Sequence, residues 1–151
     1  MHMQDNFYGY QQRRLSILLG WGIGSAAIGS SMQLLTQDFW KQFGLQALAW
    51  GAIDAALALV GIRSAQNKER RYEQKELEYA DEKKEARTIS RVLLINAGLD
   101  ILYVVSGSWV IWRFQMRDDR RGMGAGILLQ GAWLLLFDTF LARDVKKRWL
   151  S

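Results

Sequence analysis

Apolar positions in this chain gather into four long runs, and the polar ones fall between and outside them. Residues 15–35 carry no charge; 43–62 carry only Asp54, 92–112 only Asp100, and 122–142 only Asp138. Each run is close to the roughly 20 residues that a helix rising about 1.5 Å per residue needs to cross about 30 Å of hydrocarbon. The pattern predicts an all-α integral membrane four-helix bundle in a single domain, 1–151. A soluble fold would have too little polar chain left to cover four such helices. The first run also resembles a signal peptide behind Arg13 and Arg14, but it is too long and too glycine-rich for that.

Between the second and third runs, residues 63–91 contain no Gly or Pro and are rich in Glu, Lys, Arg and Gln, which predicts a charged helix. Ala65, Tyr72, Tyr79, Ala86 and Leu93 recur in it every seven positions. The flanking spans must run antiparallel, so the segment has to break. Gln66-Asn67 is the expected site because Asn tolerates a left-handed cap, with Ala80-Asp81 the alternative. The helix then lies along the membrane face or projects as a short hairpin.

Charge sets the topology. Of 20 Lys and Arg, 15 fall before the first run, between the second and third, or after the fourth, against 5 on the opposite side. The positive-inside rule places both termini and the connector in the cytoplasm. Trp40, Trp112 and Trp149, with Phe7, Tyr8 and Tyr10, are expected at the headgroup boundaries. The connector's nine basic and seven acidic residues make a poor nucleic-acid site. Membrane lipids, further copies of the chain and a cytoplasmic protein are the partners it suggests.

A duplication is written faintly into the chain. Gln46 and Asp54 are matched by Gln130 and Asp138 at an offset of 84, and Gly20-Trp21-Gly22 by Asn96-Ala97-Gly98 early in the third run. Two related hairpins would follow. Small residues spaced four apart should mark helix contacts: Gly20 and Gly24, Ser25 and Gly29, the Ala47, Gly51, Ala55 series, Gly122 and Gly126, and Gly107 between two serines. The same stripes suggest self-association.

The polar residues within the runs are the candidate site: Asp54, Asp100, Asp138, Asn96, Gln46 and Gln130. A carboxyl in a span costs a few kcal/mol even on lenient scales, so it normally faces the bundle interior and has a role. Asp54 and Asp100 are each nine residues from an arginine, about 13 Å at helical rise, and Asp138 and Asn96 five, about 7 Å. The four can converge in the cytoplasmic half, as a cation or proton site or as interhelical glue. If protonated they need partners such as Tyr103, Ser106 or backbone carbonyls; if ionised, Arg14 or Arg91 is the nearest cation. With no cysteine and only His2, no haem, iron–sulfur or zinc ligand set is offered, so no cofactor is expected. No nucleophile or catalytic motif accompanies the acids, so no enzymatic activity is expected.

The blocks Gly20-Trp21-Gly22, FGLQALAWGAID (43–54), NAGLDILY (96–103) and QGAWLLLFD (130–138) together resemble an uncharacterised family of small bacterial four-span proteins. The resemblance implies a bacterial inner membrane and no particular chemistry.

Overall fold

A computed structural model describes residues 6–151; His2 lies outside them. The described chain is helical apart from short turns: α1 (Phe7–Leu35), α2 (Asp38–Glu73), α3 (Tyr79–Arg113) and α4 (Asp118–Val145), with a π turn at Lys146–Leu150 closing it. Each of the four helices is long and apolar enough to cross a membrane. α1 packs along α2, α3 along α4, and the two hairpins join through α2 and α4, while α1 and α3 approach only sparingly.

Inside and outside are reversed relative to a soluble bundle. Ile28, Leu57, Val60, Leu94, Leu102 and Leu136 face outward, whereas the interior of the apolar zone is small or polar. Buried positions repeat every seven residues: Gly22 and Gly29 in α1; Gly44, Gly51, Ala58 and Ala65 in α2; Ala86, Leu93, Asp100 and Gly107 in α3; Gly124, Gly131, Asp138 and Val145 in α4. A 3.5-residue period keeps one narrow seam turned toward the neighbour, as in a left-handed coiled coil. In lipid such seams are held by close backbone approach, which small residues permit. A Cβ on Gly22 would sit 2.6 Å from the Ala55 nitrogen, and one on Gly107 2.7 Å from the Gly124 oxygen. Gly126 lies against Gln46 and Phe43, joining α4 to α2.

This changes two expectations about α1 and α3. Gly20 and Gly24 do not mark a helix contact, because a Cβ on either would meet nothing within 4 Å; Gly22 and Gly29 do that work. Gly98 is equally open, so the correspondence of Gly20-Trp21-Gly22 with Asn96-Ala97-Gly98 is not carried by packing.

The connector does not break at Gln66-Asn67; it breaks shortly before the alternative site at Ala80-Asp81. α2 runs through Gln66 and Asn67 to Glu73, because Ala65 extends the buried seam past them. The chain reverses over 74–78, where Lys75 takes the left-handed backbone (φ 59°). α3 then begins before Ala80-Asp81 with a capping box, the Glu78 and Asp81 side chains each accepting the other's backbone N–H. The charged segment is thus the paired ends of α2 and α3, tied by Lys68 and Glu85 at 2.5 Å.

Phe7, Tyr8 and Tyr10 are not boundary anchors. They are 0–2% exposed, in a core with Ala86, Leu93, Leu141, Ala142 and Val145. Trp149 also belongs to it, its ring 4.6 Å from that of Tyr10 and 5.3 Å from that of Phe7. Both ends of the described chain and the α2–α3 turn therefore form one aromatic head beyond the apolar zone. Trp40 and Trp112, at the opposite end, stay exposed.

Candidate functional site

Three helices each deliver one acid to the interior. Asp54 on α2 and Asp100 on α3 are 3% exposed and Asp138 on α4 is 7% exposed. Asp100 and Asp138 replace a small residue in their heptad seams, while Asp54 lies three residues beyond Gly51 in the alternate position of its own. All three therefore point where helix meets helix.

The carboxyls of Asp100 and Asp138 lie close enough to interact directly, and Asp54 is close enough to interact electrostatically with both. Two carboxyls can bond to each other only through a proton carried by one of them. One oxygen each on Asp54 and Asp100 is buried without any partner, as is the Trp133 indole N–H. Buried polar atoms are nearly always satisfied, so orphaned carboxyl oxygens in one cluster are unusual. Among the described residues, no Lys or Arg pairs with any of the three.

The expected partners are elsewhere. Arg14 donates to Asp144 at 3.2 Å, beyond the apolar run, and Arg91 is exposed. Tyr103 packs edge-on against Trp50 at 5.0 Å, and Ser106 faces outward.

Of the remaining site candidates, Gln130 is 2% exposed and accepts a hydrogen bond from the Trp21 indole N–H at 3.0 Å, linking α4 to α1. Trp21 also stacks on Trp133, centroids 4.4 Å apart. Gln46 is half-buried against Gly126 in the α2–α4 contact. Asn96 is exposed and does not join the cluster. The α3 seam steps through Leu93, Ala97 and Asp100, and a seam this narrow leaves the residue four before Asp100 on its outer side.

Sequence reasoning missed a further buried acid, Glu82, in the head. It is 3% exposed and accepts from the Phe7 backbone N–H at 2.5 Å and the Trp149 indole N–H at 3.3 Å, with Tyr72 close by. Asp144 was missed too: it accepts from Tyr10 at 2.6 Å, Arg14 at 3.2 Å and Arg148 at 2.9 Å. Neither stands out by composition, since each sits among many other charges. Glu82 stands four residues before seam residue Ala86 just as exposed Asn96 stands before Asp100, so the heptad pattern gives no signal of its burial.

Residues 17–139 match the model of a family described as a family of unknown function, DUF6992. No curated protein and no solved structure matches the chain.

Proposed function

The chain belongs to this family of unknown function, and from its own geometry we propose that it is a multi-pass bacterial inner-membrane protein whose Asp54, Asp100 and Asp138 carboxyls bind protons and pass them on. The observation that carries the reading is the contact between the Asp100 and Asp138 carboxyls, with orphaned oxygens on Asp100 and Asp54 beside it. A shared proton satisfies the pair, and a second one, or a cation, satisfies the rest. A proton suits better than a metal, because the acids are not arranged as a ligand set among the described residues. The excess of Lys and Arg at the head end supports a cytoplasmic head. The reading includes no enzymatic step.

Proton flux into liposomes carrying the purified protein, followed with an internal pH dye under an imposed potential, tests it. Wild type should exceed empty liposomes, and Asp100→Asn and Asp138→Asn should each abolish the excess. Flux no greater than the lipid background, or unchanged in Asp54→Asn, Asp100→Asn and Asp138→Asn alike, removes the reading.

A second reading, a non-catalytic scaffold working through the head, is favoured by an open cleft of about 860 Å³ among Tyr72, Glu73, Leu77, Tyr79, Arg148 and Trp149. Capture of a cytoplasmic protein that is lost on reversing the charges of Glu73 and Lys75, with the bundle still folded, would support it.

A further inference from the structure

The backbones of α1 and α4 stay apart, and large side chains bridge them: Trp21 to Gln130 and Trp133, and Arg14 to Asp144 and Phe140. Between the bridges the surface is grooved. One groove, about 380 Å³, is lined by Arg14, Ile17, Trp133, Leu136, Phe137 and Phe140. A second, about 280 Å³, lies beyond Trp21 and includes Gly20, Gly24, Ile28 and Leu129. Gly20 and Gly24 pack against no helix; their missing side chains leave that second groove open.

The first groove begins beside Arg14, immediately before the first apolar run. On α4 it runs from Leu141 to Trp133, eight residues or about 12 Å of helix, which fits within half of a hydrocarbon core of about 30 Å. Apolar and aromatic side chains line its length, and cations cluster at its outer end. Arg14 on α1 and Arg148 near the end of α4 both reach Asp144, and Arg143 and Lys147 are exposed on the same stretch of the chain. The Arg14 guanidinium is held 5.1 Å from the Tyr10 ring centroid and 5.6 Å from that of Phe140, at the lip of the groove. Its bond to Asp144 engages one of five N–H donors.

We propose that the groove between α1 and α4 seats an acyl chain of an anionic phospholipid whose phosphate is held by Arg14 and the basic end of α4. The surplus of cations selects an anionic headgroup over a zwitterionic one, and basic pockets between spanning helices bind such headgroups. This inference rests on the membrane reading alone and does not require that the carboxyls conduct protons.

The test is delipidation in dodecyl maltoside, then return of phosphatidylglycerol or phosphatidylcholine with matched chains, reading thermal unfolding and retained lipid by native mass spectrometry. Phosphatidylglycerol should raise the Tm more than phosphatidylcholine and remain bound. Arg14→Gln should weaken its retention about fivefold, the contribution of one basic residue near an anionic surface, and Arg14→Lys should restore part of it. Leu136→Trp, which fills the groove without touching Asp144, should expel the chain and keeps the test open should Arg14→Gln fail to fold. Equal effects of the two lipids, reproduction of the shift by inorganic phosphate, or full retention by Leu136→Trp overturns the proposal. Asp100→Asn should retain the lipid as wild type does, separating this outcome from the fate of the proton reading.

Discussion

Glu82 accepts the backbone N–H of Phe7 at 2.5 Å, a bond between residues 75 positions apart that fastens the start of α1 to α3. The same carboxylate accepts from Trp149 and lies close to Tyr72, so the two ends of the described chain and the tip of α2 meet at one acid. Glu82→Ala leaves two donors without an acceptor. The expected loss is about 2–4 kcal/mol, since each orphaned buried donor costs about 1–3 kcal/mol and part is recovered by water. Glu82→Gln, which keeps an acceptor oxygen, should lose less. Thermal unfolding in detergent, together with faster hydrogen exchange at the Phe7 amide, checks both.

The head should also set the pH range of stability. Burial, reinforced by Glu85, Glu82 and Asp81, pushes the Tyr8 hydroxyl up to about 12, and burial with the bond to Asp144 pushes Tyr10 up to about 12. Folded values above the ordinary value of about 10 mean a contribution fully present below about pH 10 and lost as pH rises toward about 12. Asp144 behaves oppositely. Burial raises it, but hydrogen bonds from Tyr10 and Arg148 and the charges of Arg148 and Arg14 outweigh that and hold it below the usual carboxylate range. Its contribution is present above about pH 3.9 and is lost as pH falls through the folded value. Tryptophan fluorescence, with Trp149 beside Tyr10 as reporter, should show a plateau with both limbs; Asp144→Asn should flatten the acid one.

Glycines four and seven apart should respond differently to the same substitution. Gly22→Ala places a methyl 2.6 Å from the α2 backbone, where nothing can yield without moving a helix, and should cost about 1–3 kcal/mol. Gly20→Ala meets open space and should be neutral or stabilising by up to about 1 kcal/mol through helix propensity. Denaturation of the two variants in one detergent decides it; equal losses would refute the seam as drawn.

Replacing acids that cost stability should strengthen the bundle. Asp54 and Asp100 each carry an orphaned buried oxygen, so Asp54→Asn/Asp100→Asn should raise stability by about 1 kcal/mol while abolishing proton flux, the trade expected of a strained site. A destabilised double variant would show instead that the acids hold the helices together.

Four helices and their apolar runs were legible in the chain because about 20 residues with at most one ionisable group have few other fates. Asp54, Asp100, Asp138 and Gln130 were legible as interior for the same reason, each being costly in lipid. Asn96 falls outside the cluster because a 3.5-residue seam alternates steps of three and four, so a spacing of four alone does not give a shared face. The head was missed because Phe7, Tyr8, Tyr10 and Trp149 have the composition of boundary anchors. What buries them is a contact between distant parts of the chain, and no local pattern carries that. The turn was misplaced because Asn67 had the right chemistry, while Ala65 was already committed to the seam.

The seven-residue repeat of Ala65 and Tyr72 in the connector continues the register of Gly44, Gly51 and Ala58 within the apolar zone. α2 is thus a single ruler marked in sevens from one end to the other, and α3 carries its own through Ala86, Leu93, Asp100 and Gly107. Lengthening both by one unit near the tip would carry the turn outward by about 10 Å and keep each outer segment's seam in line with the rest of its helix, whereas adding five residues to each would rotate it out of line.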